Sequence, residues 1–240
     1  MDAVDPSVDV FNQDIAANAG YLYTTNARLG SRLAIQRQCD VLIALNRFAG
    51  RSVLDLGCGD GTCTRYLWDH AKPRAMLGID AAAQAVAVAN DRRGDRVIRF
   101  EVGDARGLPY PDGSYDIALM QGMLHHDDTP WAIIREAFRL AAEIVVLEPN
   151  GYNLGLKVIE RTSPYHRAHH ERSYAPSRLH RWVEQAGGRV VEQRYAGLVP
   201  EFCPDWVAST LKSLEPVVEG LPWLNRAGCG IHVFVATRNP

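Results

Sequence analysis

A chain of 240 residues that is 47% hydrophobic and 22% charged has the make-up of a soluble globular protein and is long enough for one domain with a substantial core. Its formal net charge of −2 gives no bulk electrostatic reason to expect a nucleic acid or membrane partner, and no apolar run nears the roughly 20 residues that span a bilayer. The five cysteines are odd in number and form no Cys-x-x-Cys pair. Free thiols and a cytoplasmic location are therefore expected, the more so because the acidic start Met1 to Pro6 lacks a secretion signal's basic and then apolar pattern.

Residues 1–50 precede the first convincing strand. Leu33 to Phe48 has helical periodicity, with Ile35, Cys39, Leu42, Ile43 and Phe48 on one stripe. The aromatic and polar stretch Gly20 to Arg28 is expected to be either an arm covering a sheet edge or a lid carrying Tyr21, Tyr23 and Arg28 to a substrate. From Val53 the pattern alternates. Strands are expected at 53–56, 75–80, 97–102, 115–120 and 143–147, with helices near 60–69, 81–90 and 130–140 between them. That rhythm predicts an α/β fold, a doubly wound and mostly parallel seven-stranded sheet, completed by β-branched strands at 189–195 and 231–237. A helix over 176–186 stops at Gly187-Gly188, and residues 200–226 form a proline- and tryptophan-bearing insertion. The expected organisation is a single domain: an N-terminal helical lid (1–50), a cofactor-binding core (51–150), and cap insertions with closing strands (151–240).

The chemistry gathers at strand ends. Asp55 precedes a turn holding Gly57, Gly59 and Gly61, whose backbone can take positive φ and admit a ligand close to bare amides at a helix N-terminus. Asp80 lies about twenty residues further on, where a carboxylate can accept both hydroxyls of a ribose. Nicotinamide enzymes want G-x-G-x-x-G, yet Thr62 stands where the third glycine would be, which weakens the dinucleotide reading.

Val53-Leu-Asp-Leu-Gly-Cys-Gly-Asp-Gly61 resembles motif I of class I S-adenosylmethionine-dependent methyltransferases. Its ordered companions Gly78-Ile-Asp80, Gly103-Asp104-Ala105, Leu108 to Asp116 and Met123-Leu-His-His126 resemble the small-molecule branch that includes the ubiquinone and menaquinone C-methyltransferases. The resemblance covers about residues 50–150. It implies S-adenosylmethionine as methyl donor and S-adenosylhomocysteine as product. Gly57, Cys58 and Gly59 would lie against the methionine part, with Asp55 near its amino group and Gln121 approaching from strand four. Asp80 would hold the ribose, Ala81 would lie against the adenine, and Asp104 would accept from the adenine amino group beside the Ala105 amide. Where the family has a proline- and glycine-containing loop before strand five, this chain has only Arg139-Leu-Ala-Ala-Glu143, so a tighter helix-to-strand junction is expected.

The expected reaction is methyl transfer to an oxygen or carbon of a small molecule, by in-line displacement. His125 and His126 are the candidates for the base that takes the acceptor's proton. Residues 157–181 hold six Lys/Arg against Glu160 and Glu171, with His166, His169, His170 and His180 among them. They are expected to be a solvated cap face or a means of meeting an anionic acceptor. Tyr21, Tyr23, Trp206 and Trp223 are expected to line an apolar or aromatic pocket, with burial in the core the alternative for the two tryptophans. No ligand spacing supports a metal site. Two other readings stay open: an RNA-modifying enzyme using the basic segment, which the net charge does not favour, and a non-catalytic cofactor-binding partner subunit.

Overall fold

The computed structural model describes residues 12–13, 15–18, 20–162, 172–201 and 203–239. Seven strands form one sheet: β1 (Ser52–Leu56), β2 (Ala75–Asp80), β3 (Ile98–Val102), β4 (Tyr115–Gln121), β5 (Ala141–Pro149), β6 (Gly188–Ala196) and β7 (Ile231–Arg238). Their spatial order is β3-β2-β1-β4-β5-β7-β6. The first five strands are parallel, and β7 runs antiparallel between β5 and β6. The chain starts at β1 and winds outward to β3, then returns to place β4 on the other side of β1. Strand order thus reverses between β1 and β4, and in open α/β sheets a ligand crevice opens there, beyond the strand C-termini.

The period-2 alternation of each strand divides the core between two faces. Leu54, Leu56, Ala118, Met120, Ile144, Val146, Phe234 and Ala236 pack on one face with the helices Pro130–Leu140 and Pro176–Gln185. Val53, Ile117, Leu119, Val145, Val233 and Val235 pack on the other, under Leu29–Ile43, Thr62–Ala71 and Ala83–Asp91. Strands buried on both faces must be apolar at nearly every position, which is why their sequences read as continuous hydrophobic runs.

Two expectations need correcting in detail, and a third holds. The first long helix spans Leu29–Ile43 and stops short of Phe48, because Asn46 takes the left-handed conformation (φ 55°) and turns the chain away. Phe48 is still buried, but from a loop. Trp206 and Trp223 are neither core nor cavity wall. They are 74% and 71% exposed, on the Asp205–Gly220 and Pro222–Gly228 helices that build the 200–226 insertion. The junction before β5 is as tight as expected: helix Pro130–Leu140 ends and β5 begins on adjacent residues. Arg139 ties that junction to the loop before β4, donating to the Leu108 and Tyr110 carbonyls and pairing with Asp112 and Glu136.

On β7, His232 is fully buried, with Nε2 3.3 Å from Gln193 Oε1 and its ring 5.2 Å from that of His180. Burial, with a smaller contribution from His180, pushes its pKa down to about 3, so the folded protein holds it neutral. A histidine that is neutral when folded contributes its full stability above the unfolded value near 6.5 and loses it as pH falls towards 3. Between pH 6.5 and 5 that loss is about 2 kcal/mol. Asp55, raised to about 7, works the opposite way over the same interval, so the comparison must be differential. Urea denaturation at pH 7 and pH 5 should show His232→Phe gaining stability relative to the wild type on acidification.

Candidate active site

The glycine turn is held by its neighbours rather than by its own side chains. Gly57, Gly59 and Gly61 sit at φ 72°, 56° and 72°, in the left-handed region that a side chain strains. The amides of Gly57 and Cys58 both donate to the Ile79 carbonyl at the end of β2 (2.8 and 3.0 Å). Asp80 completes the link: one oxygen accepts the Gly59 amide at 2.8 Å, the other the Ala82 amide at 2.9 Å. Burial raises the Asp80 pKa, and those amide bonds oppose the rise. Its carboxylate is thereby aimed along the crevice between the turn and the end of β2.

Asp55 is buried at the last turn of β1 and accepts the Thr64 hydroxyl at 2.6 Å. Desolvation lifts its pKa to about 7, opposed by the Thr64 bond and helped by the nearby Asp80 charge. Asp60, also buried, accepts the Thr24 hydroxyl at 2.7 Å and faces Arg92 at 3.4 Å. That contact pins the N-terminal segment across the turn. Tyr21 stacks on Tyr23 with ring centroids 5.3 Å apart, and a Cβ on Gly59 would come within 2.7 Å of the Tyr21 ring. Sequence reasoning passed over Asp60, although its place inside the glycine turn was the available signal.

Two adjoining cavities open here. The smaller, about 160 Å³, runs past Asp80, Ala81, Asp104 and Ala105. The larger, about 770 Å³, takes in Asp55, Cys58, Cys63, Gln121 and His125. Tyr21, Tyr23, Gly57, Gly59, Gln121 and His126 line both. All the sequence-predicted site residues therefore meet at one crevice except Arg28, which is exposed and lines neither cavity. Gln121 is held by bonds from its amide nitrogen to Gln38 Oε1 (3.2 Å) and Cys63 Sγ (3.0 Å). Asp104 is clamped by the Arg106 guanidinium at 2.9 Å, which holds its carboxyl below the usual range.

The residue that organises the far side is Glu148, at the end of β5. Its side chain is 1% exposed. One oxygen accepts the amides of Met123 and Leu124 at 3.0 and 2.8 Å, which closes the short 3-10 turn Leu124–His126. The other lies 2.8 Å from His125 Nδ1. A carboxylate only accepts, so the proton sits on Nδ1 and the ring is oriented by a buried acid. His126 packs against it with ring centroids 3.9 Å apart. Glu148 was not singled out from the sequence; its signal was a fourth acid at a strand C-terminus on the same edge of the sheet.

Among the described residues of the basic segment, no lysine or arginine lines either cavity. Lys157 pairs with Glu160 at 3.1 Å, Arg172 pairs with Asp128, and Arg178 lies over the rings of Tyr174 and Trp182. His166, Arg167, His169, His170 and Glu171 fall outside the described residues. Among the described residues no group of three or more His, Cys, Asp or Glu side chains could hold a metal, and no helix is long and apolar enough to cross a membrane.

Comparison with known proteins agrees with this geometry. Residues 54–152 match the family model described as a methyltransferase domain. The chain is 39% identical over 108 residues to 27-O-demethylrifamycin SV methyltransferase of Amycolatopsis mediterranei, covering 43% of this chain and 37% of that one. It spans less than half the length of the curated relatives it matches. Among solved structures, one described as a possible histamine N-methyltransferase from Thermotoga maritima superposes with a TM-score of 0.72 at 18% identity, covering 97% of this chain and all of that one. The cyclase SpnF superposes with a TM-score of 0.69 at 21% identity, covering 98% and 97%. These likenesses establish the fold as Rossmann-like, with residues 54–152 matching a methyltransferase domain.

The Glu148 arrangement carries a stability consequence. Glu148→Ala would strand two buried amides and the His125 Nδ1 proton together, at a cost of roughly 2–4 kcal/mol. Glu148→Gln keeps one accepting oxygen and should lose less. Urea denaturation of the two variants is the check.

Proposed function

We propose that the chain transfers a methyl group from S-adenosylmethionine to a hydroxyl oxygen of a small molecule. The observation that carries this reading is the His125–Glu148 pair on the wall of the larger cavity, next to a glycine turn and acid set fitted to the donor. The fit to the donor is chemical. Left-handed glycines bring no side chains of their own to the turn, so a ligand can approach its backbone closely. Asp80 offers two carboxylate oxygens to a pair of vicinal hydroxyls, and Ala81 and Ala105 present small apolar surfaces for a flat base. Asp104 offers an acceptor to the base's amino group. Gly57, Cys58, Gly59, Asp55 and Gln121 form the end suited to an amino acid moiety.

Bound there, S-adenosylmethionine supplies an electrophilic methyl on a sulfonium with a good leaving group, so positioning accounts for most of the rate. The chain's own residues then have two tasks. Tyr21 and Tyr23, held down through Thr24 and Asp60, cover the turn and keep water from it. His125 takes the hydroxyl proton at Nε2, since Nδ1 is committed to Glu148, and the buried carboxylate stabilises the imidazolium that results. His126, lining both cavities, sits where donor and acceptor meet. Oxygen rather than carbon is favoured by this oriented base, and by the oxygen acceptor in the name of the rifamycin relative.

Calorimetry with S-adenosylhomocysteine tests the cofactor half. Binding should be measurable, and Asp80→Ala should weaken it at least tenfold; no binding, with Asp80→Ala indistinguishable from wild type, would sink the reading. Because Asp55 is raised to about 7, it is mostly neutral at pH 6 and mostly ionised at pH 8. Affinity for the cofactor's ammonium group should therefore rise across that interval, and Asp55→Asn should flatten the rise. For the base, methyl-labelled cofactor and a panel of hydroxylated acceptors are the assay. His125→Gln should cut turnover about 10²–10⁴-fold with cofactor affinity kept.

A further inference from the structure

The larger cavity reaches well beyond the cofactor end, and aliphatic side chains converge on its outer part. Ile35 comes from the Leu29–Ile43 helix, Leu156 and Ile159 from the Leu154–Thr162 helix, Leu198 and Val199 from the loop after β6, and Leu211 from the Asp205–Gly220 helix. Four separate segments thus present aliphatic side chains to one space. At about 770 Å³ the cavity falls in the range, roughly 300–1,000 Å³, of clefts that bury most of a drug-sized ligand.

Charged groups on these walls are engaged by others. Arg37 is held by Glu219 through two hydrogen bonds and lies 3.7 Å from Glu215. Glu215 also pairs with Lys212 at 2.5 Å and accepts the Leu198 amide at 3.1 Å. Glu219 accepts the Gly197 amide at 2.8 Å. Glu160 is shared between Lys157 and the Ser173 amide. A charged acceptor would have to compete with these existing partners for a counter-charge. An uncharged apolar acceptor needs no such exchange and gains from every aliphatic wall it covers.

We propose that the acceptor is an uncharged, predominantly aliphatic molecule carrying a hydroxyl, bound between the Leu154–Thr162 and Asp205–Gly220 helices. This names the substrate class for the methyl transfer proposed above and rests on that reading. It differs from the anionic acceptor that the basic 157–181 segment suggested; among the described cations there, Lys157 pairs with Glu160, Arg172 pairs with Asp128, and Arg178 lies over Tyr174 and Trp182.

The test uses the full chain saturated with S-adenosylhomocysteine, whose binding is measured first by calorimetry. The neutral dye Nile red is then bound and displaced by three probes with the same tail: decan-1-ol, decanoate and decylammonium, each below its aggregation limit. Decan-1-ol should displace the dye at least tenfold more effectively than either charged probe. Leu211→Asp and Ile159→Asp should each weaken dye binding at least tenfold with S-adenosylhomocysteine affinity within twofold of wild type. Preference for decanoate or decylammonium, or no dye binding by a protein that binds the cofactor, would overturn the proposal and leave the cofactor reading standing. Absent cofactor binding would instead remove the reading beneath it. Should either variant fail to fold, the displacement order in the wild type decides alone.

Discussion

One carbonyl, that of Ile79, accepts two successive amides from the turn after β1. No chain bearing side chains follows that path without strain, because three nearby residues must take positive φ. The double bond reels the turn against the end of β2, and everything at the donor end follows from it. It brings the Gly59 amide onto Asp80, starts the Thr62–Ala71 helix from a left-handed cap, and leaves a surface bare enough for Tyr21 to lie across. A crevice made this way belongs to the backbone, so its shape survives changes in most surrounding side chains.

Glu148 plays the matching part on the other side of the strand-order reversal. Buried acids are costly unless fully bonded, and this one accepts two amides and one imidazole. The three bonds fold the turn after β4 and orient His125 in the same act. The chemistry and the local fold are thus one network, held by the ends of β4 and β5. The outer part of the larger cavity lies beyond both, walled by segments from the two ends of the chain. That division separates a crevice built on the sheet from a cavity built on added helices.

The parts legible in the sequence were those governed by local rules. Val53 to Gly61 announces a strand and a turn because apolar alternation and clustered glycines have few other uses, and Asp80 and Asp104 follow at strand ends. The junction at Leu140 was legible because the residues for a loop are missing. Trp206 and Trp223 were not legible: an aromatic residue carries no mark of which helix face the fold will cover. Arg28 stood beside Tyr21 and Tyr23 in sequence, yet it precedes a helix that turns its side chain to solvent while theirs face the crevice.

The sequence by itself determined the sheet, its winding and the donor end, since strand periodicity, glycine φ and spacing between acids act over a few residues each. Only the tertiary structure decided which acid orients which histidine, which charges cancel on the cavity wall, and which hydrophobic residues face inward. Those are contacts between residues tens to nearly two hundred positions apart, such as His125 with Glu148 and Arg37 with Glu219. Their pairing is set by how helices pack onto a finished sheet, and no local propensity encodes it.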